Sequence, residues 1–180
     1  MWYLIATQAD NFKKTGCYNL YCSGFVQTHK GKYLGARIDK TSIYGGPTVE
    51  IAISITQDPQ TQNWWLSYQG ENIGYFPIKL FSNMSSADQV GWGGRTSTPP
   101  NTPSPQLGSG YLPDNNFVHA CYFRSLSFQD VSRQDHEPSY DEIFTLNDKP
   151  DCVDVKYYED VGAEIGHAIQ FGGPGGLCGN

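Results

Sequence analysis

Arg95 closes the run Val90-Gly91-Trp92-Gly93-Gly94-Arg95, and the chemistry open to this chain turns on it. Two glycines behind a tryptophan let a backbone approach something else closely, a ligand included. The side chain that ends such a run would stand at the mouth of a groove. Trp92, Tyr75 and Trp65 could line that groove, although aromatic residues at such positions more often fill a core. A guanidinium serves neither as a base nor as a useful proton donor, and it lowers the pKa of any carboxylate beside it. Other acids offer no convincing pair. Glu71 reads as a solvated residue at a hairpin tip. Glu50 faces solvent from its strand, and Asp88 is a cap or surface charge. Cys121, within His119-Ala120-Cys121-Tyr122-Phe123, reads as a buried thiol. His119 shares its face without being placed to activate it.

The five cysteines are Cys17, Cys22, Cys121, Cys152 and Cys178. The C-x4-C spacing at Cys17 and Cys22 could be half a zinc site, but the other three are scattered. No H-x3-5-H pair exists among His29, His119, His136 and His167, so neither a metal nor another cofactor is expected. Pairing Cys17 with Cys22 and Cys152 with Cys178 leaves Cys121 single, and disulfides imply an oxidising compartment. Met1 to Asp10 has no basic n-region, and its apolar run is too short for a signal peptide. A chain built for secretion that begins this way is expected to lack part of its N-terminus. Asn83-Met84-Ser85 is an N-glycosylation sequon, which matters only if the chain is secreted.

At 180 residues the chain is expected to be one domain over 1–180, with a real core. Twelve tyrosines, nine phenylalanines and four tryptophans beside 20 glycines and 11 prolines favour all-β construction with many turns. A net charge of -6 without a basic block argues against nucleic acid. No apolar run approaches the roughly 18 residues of a spanning helix, so no membrane segment is expected.

Taken in order, strands are expected over Trp2 to Thr7, Cys17 to Thr28 and Tyr33 to Ser42. Thr48 to Thr56 is the clearest, with Val49, Ile51, Ile53 and Ile55 alternating on one face. Asp58 to Thr61 turns into an aromatic hairpin, Asn63 to Phe76, around Gln69-Gly70-Glu71-Asn72. Ile78 to Phe81 and Ser85 to Gln89 are the only helical turns considered, and a third strand ends at Arg95. The four prolines between Thr96 and Ser109 make an extended loop. Strands follow over Phe117 to Val131 and Val153 to Tyr158, and a last one runs into the glycine-rich tail. This spacing of short strands and turns predicts an all-β antiparallel β-sandwich, incomplete at the N-terminus. Loss of its first strands would leave an exposed sheet edge and an uncovered apolar face.

Three segments carry a resemblance. They are G-C-Y-N-L-Y-C-S-G-F-V-Q-T from Gly16, N-W-W-L through I-G-Y-F-P to V-G-W-G-G between Asn63 and Gly94, and F-G-G-P-G-G-x-C from Phe171 to Cys178. Together they resemble the neprosin domain of plants across nearly the whole chain. The resemblance implies a secreted β-sandwich glutamic peptidase cleaving beside proline, made as a proenzyme. Its chemistry uses two glutamates across a cleft, one activating water and the other, protonated, serving the developing oxyanion. Two close carboxylates push their pKa values apart, which suits work in acid.

Neither glutamate carries over. The first should precede the C-Y-N-L-x-C motif, and Met1 to Gly16 holds none; the second should follow W-G-G, where Arg95 stands. The expectation is a neprosin-domain chain without hydrolysis. The alternative is a binding module that uses its aromatic groove for proline-containing peptides or cell-wall polysaccharide. The segment Pro99 to Pro105 could serve as a self-ligand, though it reads as an ordinary surface loop.

Overall fold

The computed structural model describes residues 23–81 and 85–178. Its contacts cluster into two compact units. Unit 1 takes in the described residues up to Thr41 together with Val49–Asp88; unit 2 takes in Ser42–Thr48 with Gln89–Asn180. Nine strands occur among the described residues, every strand pairing is antiparallel, and the only helical elements there are two 3-10 turns. The expected all-β antiparallel class is therefore observed. No helix among the described residues is long and apolar enough to cross a membrane.

Unit 1 is a four-stranded sheet of β1 (Val26–Gln27), β4 (Glu71–Phe76), β3 (Trp64–Tyr68) and β2 (Ile53–Gln57), in that order. The β3–β4 hairpin forms where aromatic and β-branched residues flank Gln69-Gly70. Those two residues take φ of 51° and 74°, the doubly positive turn that matches strand twist. Asp58 makes the β2–β3 turn, its Oδ1 accepting from the backbone N–H groups of Gln60 and Thr61. Leu34, Leu66, Ile73 and Phe76 form the buried core, with Phe25, Trp64, Tyr68, Leu80 and Phe81 packed around it. Gly74 is required in β4, because a Cβ there would collide with the Val26 carbonyl and the Phe25 ring.

Three expectations are corrected here. Tyr33 to Ser42 is not a strand. Its first polar groups are spent on a turn, Ala36 N–H to Tyr33 O at 3.1 Å, and on Gln27, which donates to Lys32 O and accepts from Leu34 N–H. Thr48 to Thr56 contracts to β2, an edge strand whose Ile53 and Ile55 are 40% and 48% exposed, so the alternating apolar face does not close a core. Ile78–Leu80 does form a 3-10 turn, its Ile78 N–H bonded to Asn63 Oδ1 at 3.0 Å; Ser85 to Gln89 forms none. The strand expected at Trp2 to Thr7 and the sequon at Asn83 lie outside the described residues. So does the Cys17–Cys22 pair.

Unit 2 holds a three-stranded sheet of β5 (Cys121–Phe123), β9 (Ala168–Gly172) and β8 (Asp154–Tyr158), with β9 central. A separate two-stranded ribbon pairs β6 (Phe128–Gln129) with β7 (Asp135–His136). The long strand expected from Phe117 to Val131 is broken into β5 and β6, with Ser125 at φ 50° between them. The segment from Val90 to Arg95 carries no ladder and is extended loop rather than strand. Gln170 is completely buried in β9, yet it is satisfied. Its Oε1 accepts from Asn115 N–H and the Tyr158 hydroxyl, and its Nε2 donates to Asn116 O.

Candidate functional site

The glycine-rich tail positions the site in unit 2. Cys152 and Cys178 form a disulfide with their Cα atoms 5.5 Å apart, which fixes the end of the tail against the residues entering β8. The tail in turn holds the proline-rich loop through two-way backbone pairs. Ser104 exchanges bonds with Gly176 at 2.8 and 2.9 Å, and Leu107 with Gly173 at 3.0 and 3.2 Å. Glycine is needed at Gly175, where a Cβ would meet the Ser104 and Pro105 carbonyls. Thr98 and Ser104 close the loop with a hydroxyl pair at 2.7 Å. The proline segment is thus a built wall and not a loose surface loop.

Trp92 to Arg95 runs along the same cavity. A Cβ on Gly94 would lie 2.7 Å from both Leu107 Cδ1 and Phe171 Cε2, so here the backbone does make the close approach expected of the glycine pair. Phe171 is stacked on Phe123 at 5.3 Å, which leaves that ring little room to yield. These parts border an open cleft of about 1210 Å³ in unit 2, with Arg95 and Trp92 among its lining residues. Its remaining walls come from β8, through Val155 and Tyr157, and from the segment holding Glu142 and Phe144. Phe144 is 71% exposed, so the cleft offers apolar surface as well as charge.

Charges of both signs line it: Arg95 and Lys149 against Glu142, Asp148 and Asp154. Glu142 ends a 3-10 turn, Tyr140–Glu142, and folds back on Ser139. Its Oε2 accepts from Ser139 Oγ at 2.8 Å and from Ser139 N–H at 3.2 Å. Those bonds hold its carboxyl below the usual glutamate range. A general acid needs the opposite shift.

Beneath the cleft wall, the Tyr157 hydroxyl donates to Pro138 O and meets His167 Nδ1 at 2.7 Å. The other nitrogen of His167 lies 3.3 Å from Glu137. Burial raises the Tyr157 pKa, with the Glu159 and Glu137 charges adding to the effect, so its hydroxyl is no nucleophile. Nor is Cys121, whose pKa burial also raises. His119 instead bonds Asp114 Oδ2 at 2.6 Å and stacks on Tyr44. Among the described residues no group of three or more His, Cys, Asp and Glu is placed to hold a metal ion.

The three expected groove aromatics divide. Trp65 and Tyr75 face each other across β3 and β4 in unit 1, ring centroids 4.8 Å apart, while Trp92 lines the cleft of unit 2. Glu50, Glu71 and Asp88 all belong to unit 1. Glu71 is not merely solvated: it lies 3.1 Å from Lys32 Nζ and 3.2 Å from His29 Nε2. Sequence reading passed over Glu142, Phe144, Val155 and Tyr157. The signal for them lay in the cysteines, since pairing Cys152 with Cys178 brings the start of β8 to the tail.

The sequence model of the neprosin family matches residues 1–174. The chain belongs to the neprosin family. That membership makes it one of a peptidase-like family, and the match takes in the whole W-G-G-R segment and the tail up to Pro174. The matched span therefore includes Arg95, which directly follows Gly94 on the cleft wall. Its disulfide fits an extracellular member of the family.

Proposed function

We propose that this neprosin-family chain recognises proline-containing peptides in the cleft of unit 2 without hydrolysing them, as a secreted protein. The observation that carries this reading is Arg95 on the cleft wall, at the position after W-G-G where the resemblance puts a catalytic glutamate. A guanidinium cannot act as a base toward water, and a positive charge beside a carboxyl disfavours the protonated form that the chemistry calls for. Glu142 does not supply the missing protonated acid, because its bonds to Ser139 lower its pKa. What remains suits binding: apolar surface at Trp92 and Phe144, mixed charge, and a volume that accepts several residues of extended chain.

The test is an internally quenched peptide built on (Thr-Pro)4, incubated with the chain from about pH 3 to about pH 7. The expected result is saturable binding by anisotropy and no fluorescence gain. Cleavage beside proline by the purified wild-type chain would overturn the reading, as would the absence of any binding.

A further inference from the structure

The cleft borders the outer edge of β8. β9 is the middle strand, so its residues alternate between neighbours. The His167 carbonyl accepts from Leu126 N–H on the β5 side, and Ile169 and Phe171, of the same parity, stand opposite Phe123 and Cys121. Ala168, Gln170 and Gly172 are left to bond β8, opposite Tyr158, Lys156 and Asp154. Val155 and Tyr157 must then point their N–H and C=O groups away from the sheet.

One contact checks this parity independently. Val155 N–H is met by Asp154 Oδ1 at 2.8 Å, a bond it can make only when it faces outward. Among the described residues no backbone group bonds the outward groups of Tyr157 or the Val155 carbonyl. Asp154, Val155 and Tyr157 all line the cleft, whereas Lys156 and Tyr158 do not.

We propose that the cleft takes its peptide as an added β-strand on the outer edge of β8, bonded at Tyr157 and at the Val155 carbonyl. This rests on the peptide-binding reading above and specifies how the peptide is read. An added strand needs N–H groups only at alternate residues, those opposite Tyr157 and Val155. The residue between them, opposite Lys156, turns its nitrogen outward, so proline is accepted there without loss. The residue before a proline is already biased toward extended backbone, which lowers the entropy cost of joining an edge. The edge therefore selects sequences with proline at every second position, and it rejects polyproline, which has no N–H to give.

The test uses three fluorescent peptides on the intact chain: (Thr-Pro)4, the same peptide with N-methylthreonine, and (Pro)8. The first should bind, and the other two should bind on the order of tenfold or more weakly. Asp154→Ala frees the Val155 N–H and should tighten (Thr-Pro)4 severalfold while leaving (Pro)8 unchanged. Equal binding of all three peptides would keep peptide recognition but overturn the edge, pointing to aromatic recognition of a polyproline helix instead. No binding of any of them removes the peptide reading and the edge with it. Self-association that (Thr-Pro)4 cannot displace, followed by sedimentation, would give the edge to a second copy of the chain and also overturn the assignment.

Discussion

The Tyr158 hydroxyl donates to Gln170 Oε1 at 2.8 Å, joining β8 to β9 through a side chain that has no contact with solvent. The same amide accepts from Asn115 N–H and donates to Asn116 O, so it ties the turn before β5 to the middle of the sheet. Three bonds converge on one buried group, and leaving its partners unmet is costly.

Gln170→Leu should therefore destabilise the protein by about 2–4 kcal/mol, because the apolar replacement cannot meet any of the three partners. Gln170→Glu should be no better at neutral pH, since a carboxylate cannot donate to Asn116 O and its charge would be buried. Urea unfolding of the three proteins checks both. A loss under about 0.5 kcal/mol for Gln170→Leu would mean water replaces the amide.

Gly94 and Gly93 make a matched pair. Gly94→Ala forces a methyl against Leu107 and the stacked Phe171 and should cost about 1–3 kcal/mol. Gly93→Ala meets nothing within 4 Å and should stay within about 0.5 kcal/mol of wild type. Thermal or urea unfolding that ranks them the other way would contradict the close approach at Gly94.

Cys152 and Cys178 are separated by 26 positions. Replacing both with serine should cost roughly 3 kcal/mol by loop closure. It should also release Gly173 and Gly176 from Leu107 and Ser104, so limited proteolysis should cut first between Thr98 and Leu107. Unchanged protection of that loop would show that the backbone pairs hold it unaided.

The Lys32 ammonium, first by hydrogen bond and then by charge, lowers the Glu71 pKa, with His29 adding less. A depressed carboxyl contributes stability that is fully present above its unfolded value, near 4.3, and is lost as pH falls through the lower folded value. The stability gap between wild type and Glu71→Gln should therefore persist unchanged from neutral pH to about pH 4.3, and close only below it. The gap will be small, because Glu71 is exposed. A gap that closes at higher pH would assign the effect to His29 instead.

The hairpin, β8 and β9 were legible because alternation there coincides with turn residues and with burial. Val90 to Arg95 alternates just as well, yet Gly93 faces open space and Gly94 packs on Phe171, so the period of two reflects loop packing and no ladder. The Phe117 to Val131 break depends on Ser125 adopting positive φ, which its type does not announce. Ile53 and Ile55 show the reverse case, a clean apolar pattern on a face left largely exposed. At the site, Trp92 and Arg95 could be read from their motif. Glu142, Val155 and Tyr157 could not, because tertiary closure brings them to the cleft and no local spacing marks them.

The Gln69-Gly70 turn also sets an order in time. β3 and β4 are neighbours in sequence, so their hairpin can close within about 1–10 μs, and β2 needs only the short Asp58 turn to join it. β9 must instead find β5 across a long stretch of chain, and contacts of that range form slowly. Disulfide formation is slower still, taking seconds to hours. The β2–β3–β4 meander is thus suited to be an early nucleus, whereas the β5–β9 pairing and the disulfide that fixes the tail beside the cleft come later.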